Sequence, residues 1–135
     1  MSYRFRGRVA LVIASLVAAV VWAAGDLAPS ISPQQLEARL AKGDAPLVVD
    51  VRTPQEYAEG HIPGAVNIPH EQVASRASEL SGKGEVAMYC LKGPRARLGE
   101  AALVAAGGKD VLHVEGGFSA WESAGLPVVK GSTPK

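Results

Sequence analysis

Apolar residues in this chain come in short clusters, and their spacing changes from one cluster to the next. Leu36 and Leu40 lie four apart behind Ser32-Pro33-Gln34-Gln35. There Ser32 can cap, Pro33 suits a first turn and Gln35 completes a capping box, which predicts a helix stopped at Gly43. Leu47-Val48-Val49 is an unbroken apolar triplet running into Asp50, the pattern of a short buried strand. Thr53-Pro54-Gln55-Glu56 repeats the capping pattern and predicts a short helix ending near Gly60. Ala65-Val66-Asn67 predicts a brief strand between Pro63 and Pro69. Val73, Ala77 and Leu80 share one helical face and predict a third helix, closed by Ser81-Gly82-Lys83-Gly84. Val86-Ala87-Met88-Tyr89 predicts a strand, residues 95–106 an alanine-rich helix ended by Gly107 and Gly108, and Val111-Leu112-His113-Val114 another strand. Phe118, Trp121 and Glu122 fall on a last short helix before Gly125 and Pro127. Strands alternating with helices predict an α/β fold, a parallel sheet covered on both faces.

One run breaks this rhythm. Residues 9–24 are almost wholly apolar, preceded by Arg4, Arg6 and Arg8 and followed by the small residues Ala23, Ala24 and Gly25. Basic flank, apolar run and small residues form the order of a signal peptide. The run is short against the roughly 20 residues of a spanning helix. Residues 1–25 are therefore read as a cleaved signal peptide, with an uncleaved membrane anchor over residues 9–24 as the second reading. Either places the rest outside the cytoplasm, exported to the periplasm or anchored facing it, because the basic flank stays inside. Residues 26–30 read as a linker, 31–128 as the domain and 129–135 as a flexible tail.

That division changes the charge picture. The whole chain carries 14 basic and 13 acidic side chains; without the three leader arginines, 11 basic residues face 13 acidic ones. No basic cluster with interleaved aromatics is present, so a nucleic-acid partner is not expected. With one cysteine, no internal disulfide can form. His61, His70 and His113 show no metal-ligand spacing, and neither a metal nor another cofactor is expected.

The cysteine is the informative residue. Cys90 directly follows the strand ending at Tyr89, and Cys90-Leu91-Lys92-Gly93-Pro94-Arg95 links that strand to the next helix. Ligands of open parallel sheets bind beyond the carboxyl ends of the strands. A short loop there can turn backbone N–H groups inward as an anion nest, assisted by the helix N-terminus. Gly93 can supply an unusual backbone conformation, and Lys92 and Arg95 add positive charge. All of these favour thiolate over thiol. The plain alternative is a small buried hydrophobe, the common fate of a free cysteine.

Three segments together resemble the rhodanese homology family. They are the run from Asp50-Val51-Arg52-Thr53-Pro54 through Gly60-His61-Ile62-Pro63-Gly64-Ala65-Val66-Asn67-Ile68-Pro69, the loop Cys90-x-x-Gly93-x-Arg95, and Val114-x-Gly116-Gly117-Phe118-x-Ala120-Trp121. The resemblance covers about residues 31–128 and implies a five-stranded parallel sheet. It implies that Cys90 accepts sulfur as a persulfide, and that Leu91, Lys92, Gly93, Pro94 and Arg95 cradle a small anionic donor such as thiosulfate. Arg95 would orient and neutralise that donor. A second nucleophile, cyanide or a thiol, free or on a protein, would take the sulfur. Related phosphatases carry the arginine one position further from the cysteine, so the spacing here favours sulfur over phosphate.

The other residues have plainer readings. Asp50 and Arg52 read as a supporting charged pair. His61 reads as a turn and packing residue, His113 as a satisfied core imidazole, and Phe118 and Trp121 as core aromatics. Gly116 and Gly117 read as a close backbone approach to the active loop. The rival functions are a sulfur-carrier module with little small-molecule turnover, a phosphatase or arsenate reductase on the same scaffold, and a non-catalytic interaction domain.

Overall fold

The computed structural model describes residues 27–133; the leader read at residues 1–25 lies outside the described residues. Five strands form one sheet: β1 (Ser30–Ile31), β2 (Leu47–Asp50), β3 (Val66–Asn67), β4 (Val86–Tyr89) and β5 (Val111–Val114). Their order across the sheet is β1-β5-β4-β2-β3, and every pairing is parallel. Four helices accompany them: α1 (Pro33–Lys42), α2 (Pro54–Glu59), α3 (Pro94–Ala105) and α4 (Gly117–Ser123).

Strand alternation divides the core in two. Val49, Val86, Met88 and Val111 face α3, where they meet Val73, Ala77, Leu80, Ala96 and Leu103. Val48, Ala87, Tyr89 and Val114 face the other way, toward Leu36 of α1, Tyr57 of α2 and Phe118 and Trp121 of α4. Both expected capping boxes form. The Gln35 N–H donates to Ser32 Oγ at 3.1 Å and the Glu56 N–H to Thr53 Oγ1 at 3.2 Å. In each, the side chain of the third helical residue takes the cap residue's own N–H in return.

Two expectations are corrected. The helix expected over Val73, Ala77 and Leu80 is instead a pair of 3-10 turns, His70–Gln72 and Ala77–Glu79. Serine hydroxyls compete for the carbonyls here, Ser75 donating to Gln72 O at 3.1 Å and Ser81 to Ala77 O at 3.0 Å. The three apolar residues are buried all the same, because spacings of three and four bring them to one side in either geometry. The linker and tail also yield residues to the fold. Ser30 belongs to β1, the His113 N–H donates to Pro29 O at 2.8 Å, and Val129 exchanges hydrogen bonds with His61 at 2.9 and 3.0 Å. The exposed edge of β5 needs partners for its backbone groups, and β1 supplies them.

Candidate active site

Cys90 leaves β4 at the carboxyl edge of the sheet and is 1% exposed. Its Sγ accepts the Gly93 N–H at 3.0 Å. To aim that N–H back at the sulfur, Gly93 takes φ +139°, a region side-chain-bearing residues avoid. Pro94 then opens α3, where its missing N–H is no loss. Leu91, Lys92 and Pro94 form the exposed rim, and Gly93 is buried beneath them.

The back of the loop rests on α4. The Phe118 N–H donates to Cys90 O at 2.8 Å and the Ser119 N–H to Leu91 O at 2.9 Å. These bonds fix two loop carbonyls on the side of α4. The approach is so close that a Cβ on Gly117 would lie 2.5 Å from Cys90 O and 2.7 Å from Leu91 O. The close backbone contact expected at the paired glycines is thus made by Gly117.

Arg95 is engaged differently from the sequence expectation. Its two terminal nitrogens donate to Glu56 Oε1 at 2.7 Å and Oε2 at 3.0 Å. The bidentate bonds hold the Glu56 carboxyl down at about 2. The guanidinium therefore joins the loop to α2, and its charge is already balanced; it does not stand free for a donor. Sequence reasoning treated Glu56 only as a capping residue, and nothing local in sequence links it to a residue 39 positions away.

Asp50 and Arg52 form the supporting pair, buried to 0% and 3% exposure. Arg52 gives Asp50 Oδ2 a bond of 2.6 Å, Asp50 Oδ1 one of 2.9 Å and Gly60 O one of 2.7 Å. Its guanidinium carbon lies 4.2 Å from the Phe118 ring centroid, beneath the start of α4. His61 stacks on Tyr57 at 3.7 Å between ring centroids, with Nδ1 2.8 Å from Tyr57 O, as befits packing. Glu100 was missed as a special residue. Ala96, Gly99, Glu100 and Leu103 form the buried stripe of α3, and a carboxylate in such a stripe is a readable signal.

The fold and site define a class: an α/β domain presenting one cysteine, its sulfur met by the Gly93 N–H, from the turn between a central strand and the following helix. The model of the rhodanese-like domain matches residues 32–124, and the chain belongs to that family. A sulfurtransferase of Allochromatium vinosum is 39% identical over 99 residues, covering 73% of this chain and 92% of that one. The thiosulfate sulfurtransferase GlpE of Pseudomonas entomophila is 37% identical over 93 residues, covering 69% and 84%. The solution structure of a rhodanese-like domain from an Anabaena protein superposes with a TM-score of 0.70 at 30% identity, covering 81% of this chain and 86% of that one.

Proposed function

We propose that this domain moves sulfane sulfur from a small anionic donor such as thiosulfate, through a persulfide on Cys90, to a thiophilic acceptor. The observation that carries the reading is the Gly93 N–H held 3.0 Å from Cys90 Sγ in a loop tied down by α4. That N–H is placed to donate to the negative charge the sulfur carries as it attacks and as it leaves. The Cys90 thiolate attacks the outer sulfur of thiosulfate; the S–S bond breaks and sulfite leaves with the electron pair. The acceptor then attacks the outer sulfur of the persulfide, and the thiolate returns. With cyanide the product is thiocyanate. The names of the Allochromatium and Pseudomonas relatives support this chemistry.

A relay between proteins is the second reading, and two observations favour it. Leu91 is 39% exposed at the rim, and Arg95 is paired with Glu56 rather than free for an anion. Both suit an acceptor that brings its own surface. Thiocyanate formation from thiosulfate and cyanide by residues 27–135 tests the two. Fast turnover lost in Cys90→Ser supports the enzyme. Persulfide on Cys90 by mass spectrometry with slow turnover supports the relay, and neither persulfide nor turnover in folded protein overturns both. The pattern of residues 2–25 supports export of the domain, and the mass of the mature amino terminus separates cleavage from anchoring.

A further inference from the structure

The loop that carries Cys90 also borders a cleft that the transfer steps above leave unused. The cleft holds about 420 Å³, lined by α2, α4, Leu91 of the loop and the chain after α4. Gly60 and the ring of Phe118, both buried, form its floor, while Leu91 and Val128 stand exposed at its rim. The floor has no room for a side chain at residue 60: a Cβ on Gly60 would lie 3.1 Å from Val128 Cγ1 and 3.5 Å from Phe118 Cζ. Val128 and Lys130 flank Val129, whose backbone exchanges hydrogen bonds with His61, so their side chains share one face of that segment. Three links join the cleft to the active loop. Leu91 directly follows Cys90, the Phe118 N–H donates to Cys90 O at 2.8 Å, and Glu56 holds Arg95 at the loop's far end.

The charges on the lining sort into paired and unpaired. Arg52 is matched by Asp50, and Glu56 by Arg95. Among the described residues Glu59 and Glu122 form no salt bridge, and Glu59 accepts from the neutral Gln55 amide at 3.2 Å. Against these two carboxylates the lining sets one unpaired cation among the described residues, Lys130. The excess is negative, wrong for an anionic donor and right for a cationic visitor. Lys92, on the exposed rim of the loop, does not line the cleft. Sulfur transfer uses two reagents in turn, and the cleft suits the second.

We propose that this cleft receives the sulfur acceptor, a thiol on a basic segment of a partner protein. An apolar side chain of that segment packs over Phe118 between Leu91 and Val128, and a basic one meets Glu59 and Glu122. The inference rests on Cys90 being the sulfur carrier. An extended chain advances about 3.4 Å per residue, so an acceptor whose sulfur meets Cys90 carries its next residues past Leu91 into the cleft. The acceptor thiol gives its proton to solvent, and its thiolate attacks the outer sulfur of the persulfide. A new S–S bond forms there as the bond to Cys90 Sγ breaks. The electron pair returns to Sγ as thiolate, and the outer sulfur leaves as a persulfide on the acceptor.

The test compares two capped peptides, Cys-Leu-Lys-Lys and Cys-Leu-Glu-Glu, as acceptors. The full chain is loaded with thiosulfate, and loss of persulfide from Cys90 is followed by mass spectrometry. Each rate is divided by that peptide's rate with a small uncharged disulfide, which removes intrinsic thiol reactivity. The lysine peptide should react about tenfold faster at low salt, and the ratio should fall toward one as salt rises. In the double variant Glu59→Gln/Glu122→Gln the low-salt ratio should drop to within about twofold. Asp44→Asn/Asp110→Asn removes the same charge from exposed positions before β2 and β5, at the opposite end of the sheet, and should keep the wild-type ratio. A wild-type ratio near one, or a ratio lost equally in both double variants, overturns the inference. Binding of the same peptides with serine in place of cysteine, followed by the amide shifts of Leu91, Glu122 and Val128, needs no sulfur. Lysine-selective shifts without any persulfide uphold the cleft and overturn only the sulfur-transfer reading. Persulfide passed to both peptides alike overturns only this inference.

Discussion

Two arginine–carboxylate pairs brace the same end of this domain, and they differ in almost everything but chemistry. Asp50 and Arg52 are two residues apart, fully buried, and satisfied by a further carbonyl at Gly60 and the face of Phe118. Glu56 and Arg95 are 39 residues apart, about 30% exposed, and join α2 to the active loop. The buried pair is part of the frame on which α4 sits, and α4 in turn holds the Cys90 and Leu91 carbonyls. The partly exposed pair touches the loop directly but is open to solvent on one side. Burial, more than proximity to the cysteine, should therefore decide how much each contributes to stability, while proximity decides how much each affects chemistry.

The sharpest way to break the comparison is to remove one partner of the buried pair. Asp50→Asn leaves the Arg52 guanidinium buried without its counter-charge, and unfolding free energy should fall by about 3–5 kcal/mol in a denaturant titration. Replacing both, Asp50→Leu with Arg52→Met, should recover most of that loss, since the unpaired charge is what destabilises. A double variant as unstable as Asp50→Asn would show that the geometry of the pair, beyond its neutrality, holds the frame. Gly117→Ala tests the contact above the pair. The added methyl group meets the Cys90 and Leu91 carbonyls at 2.5 and 2.7 Å on a backbone at φ +60°. It should remove about 2–4 kcal/mol, overpacking and left-handed strain together, and displace the loop enough to depress turnover. Gly43→Ala is the matched control. Gly43 has φ +75° but nothing within 4 Å of a built Cβ, so strain alone should take about 1 kcal/mol and turnover should be unaffected.

These contrasts also explain what could be read from the chain. Capping boxes, strand triplets and the strand–cysteine–helix junction were legible because each is a local pattern with a local cause. β1 was not, since two residues between Pro29 and Pro33 carry no period and the strand exists only because β5 offers an edge. The segment with Val73, Ala77 and Leu80 was legible as buried but not as 3-10, because three residues cannot separate a period of three from one of 3.6. The loop geometry around Cys90 followed from Gly93 and the helix start. The partner of Arg95 did not, for Glu56 meets it only after the sheet is assembled, as Glu100 of α3 meets His113 of β5.

Glu56→Gln sharpens the comparison from the weaker side, and its effect depends on pH. Hydrogen bonds from Arg95 lower the folded carboxyl from 4.5 to about 2. A group whose folded value is depressed contributes stability above its unfolded value and loses it as pH falls through the folded one. The contribution of Glu56 should thus be full above about pH 5 and vanish below about pH 2. Because both partners are nearly a third exposed, solvent screening should hold it to about 1 kcal/mol at neutral pH, and less at high salt. Wild type and Glu56→Gln should therefore differ by that amount at neutral pH and converge as acid is added. The same variant frees the Arg95 guanidinium beside the loop. If that charge can reach a donor once released, the KM for thiosulfate should fall in Glu56→Gln while the melting temperature also falls. An unchanged KM would show that Arg95 acts on the loop only as a tether to α2, and would leave recognition of the donor to the backbone and Lys92.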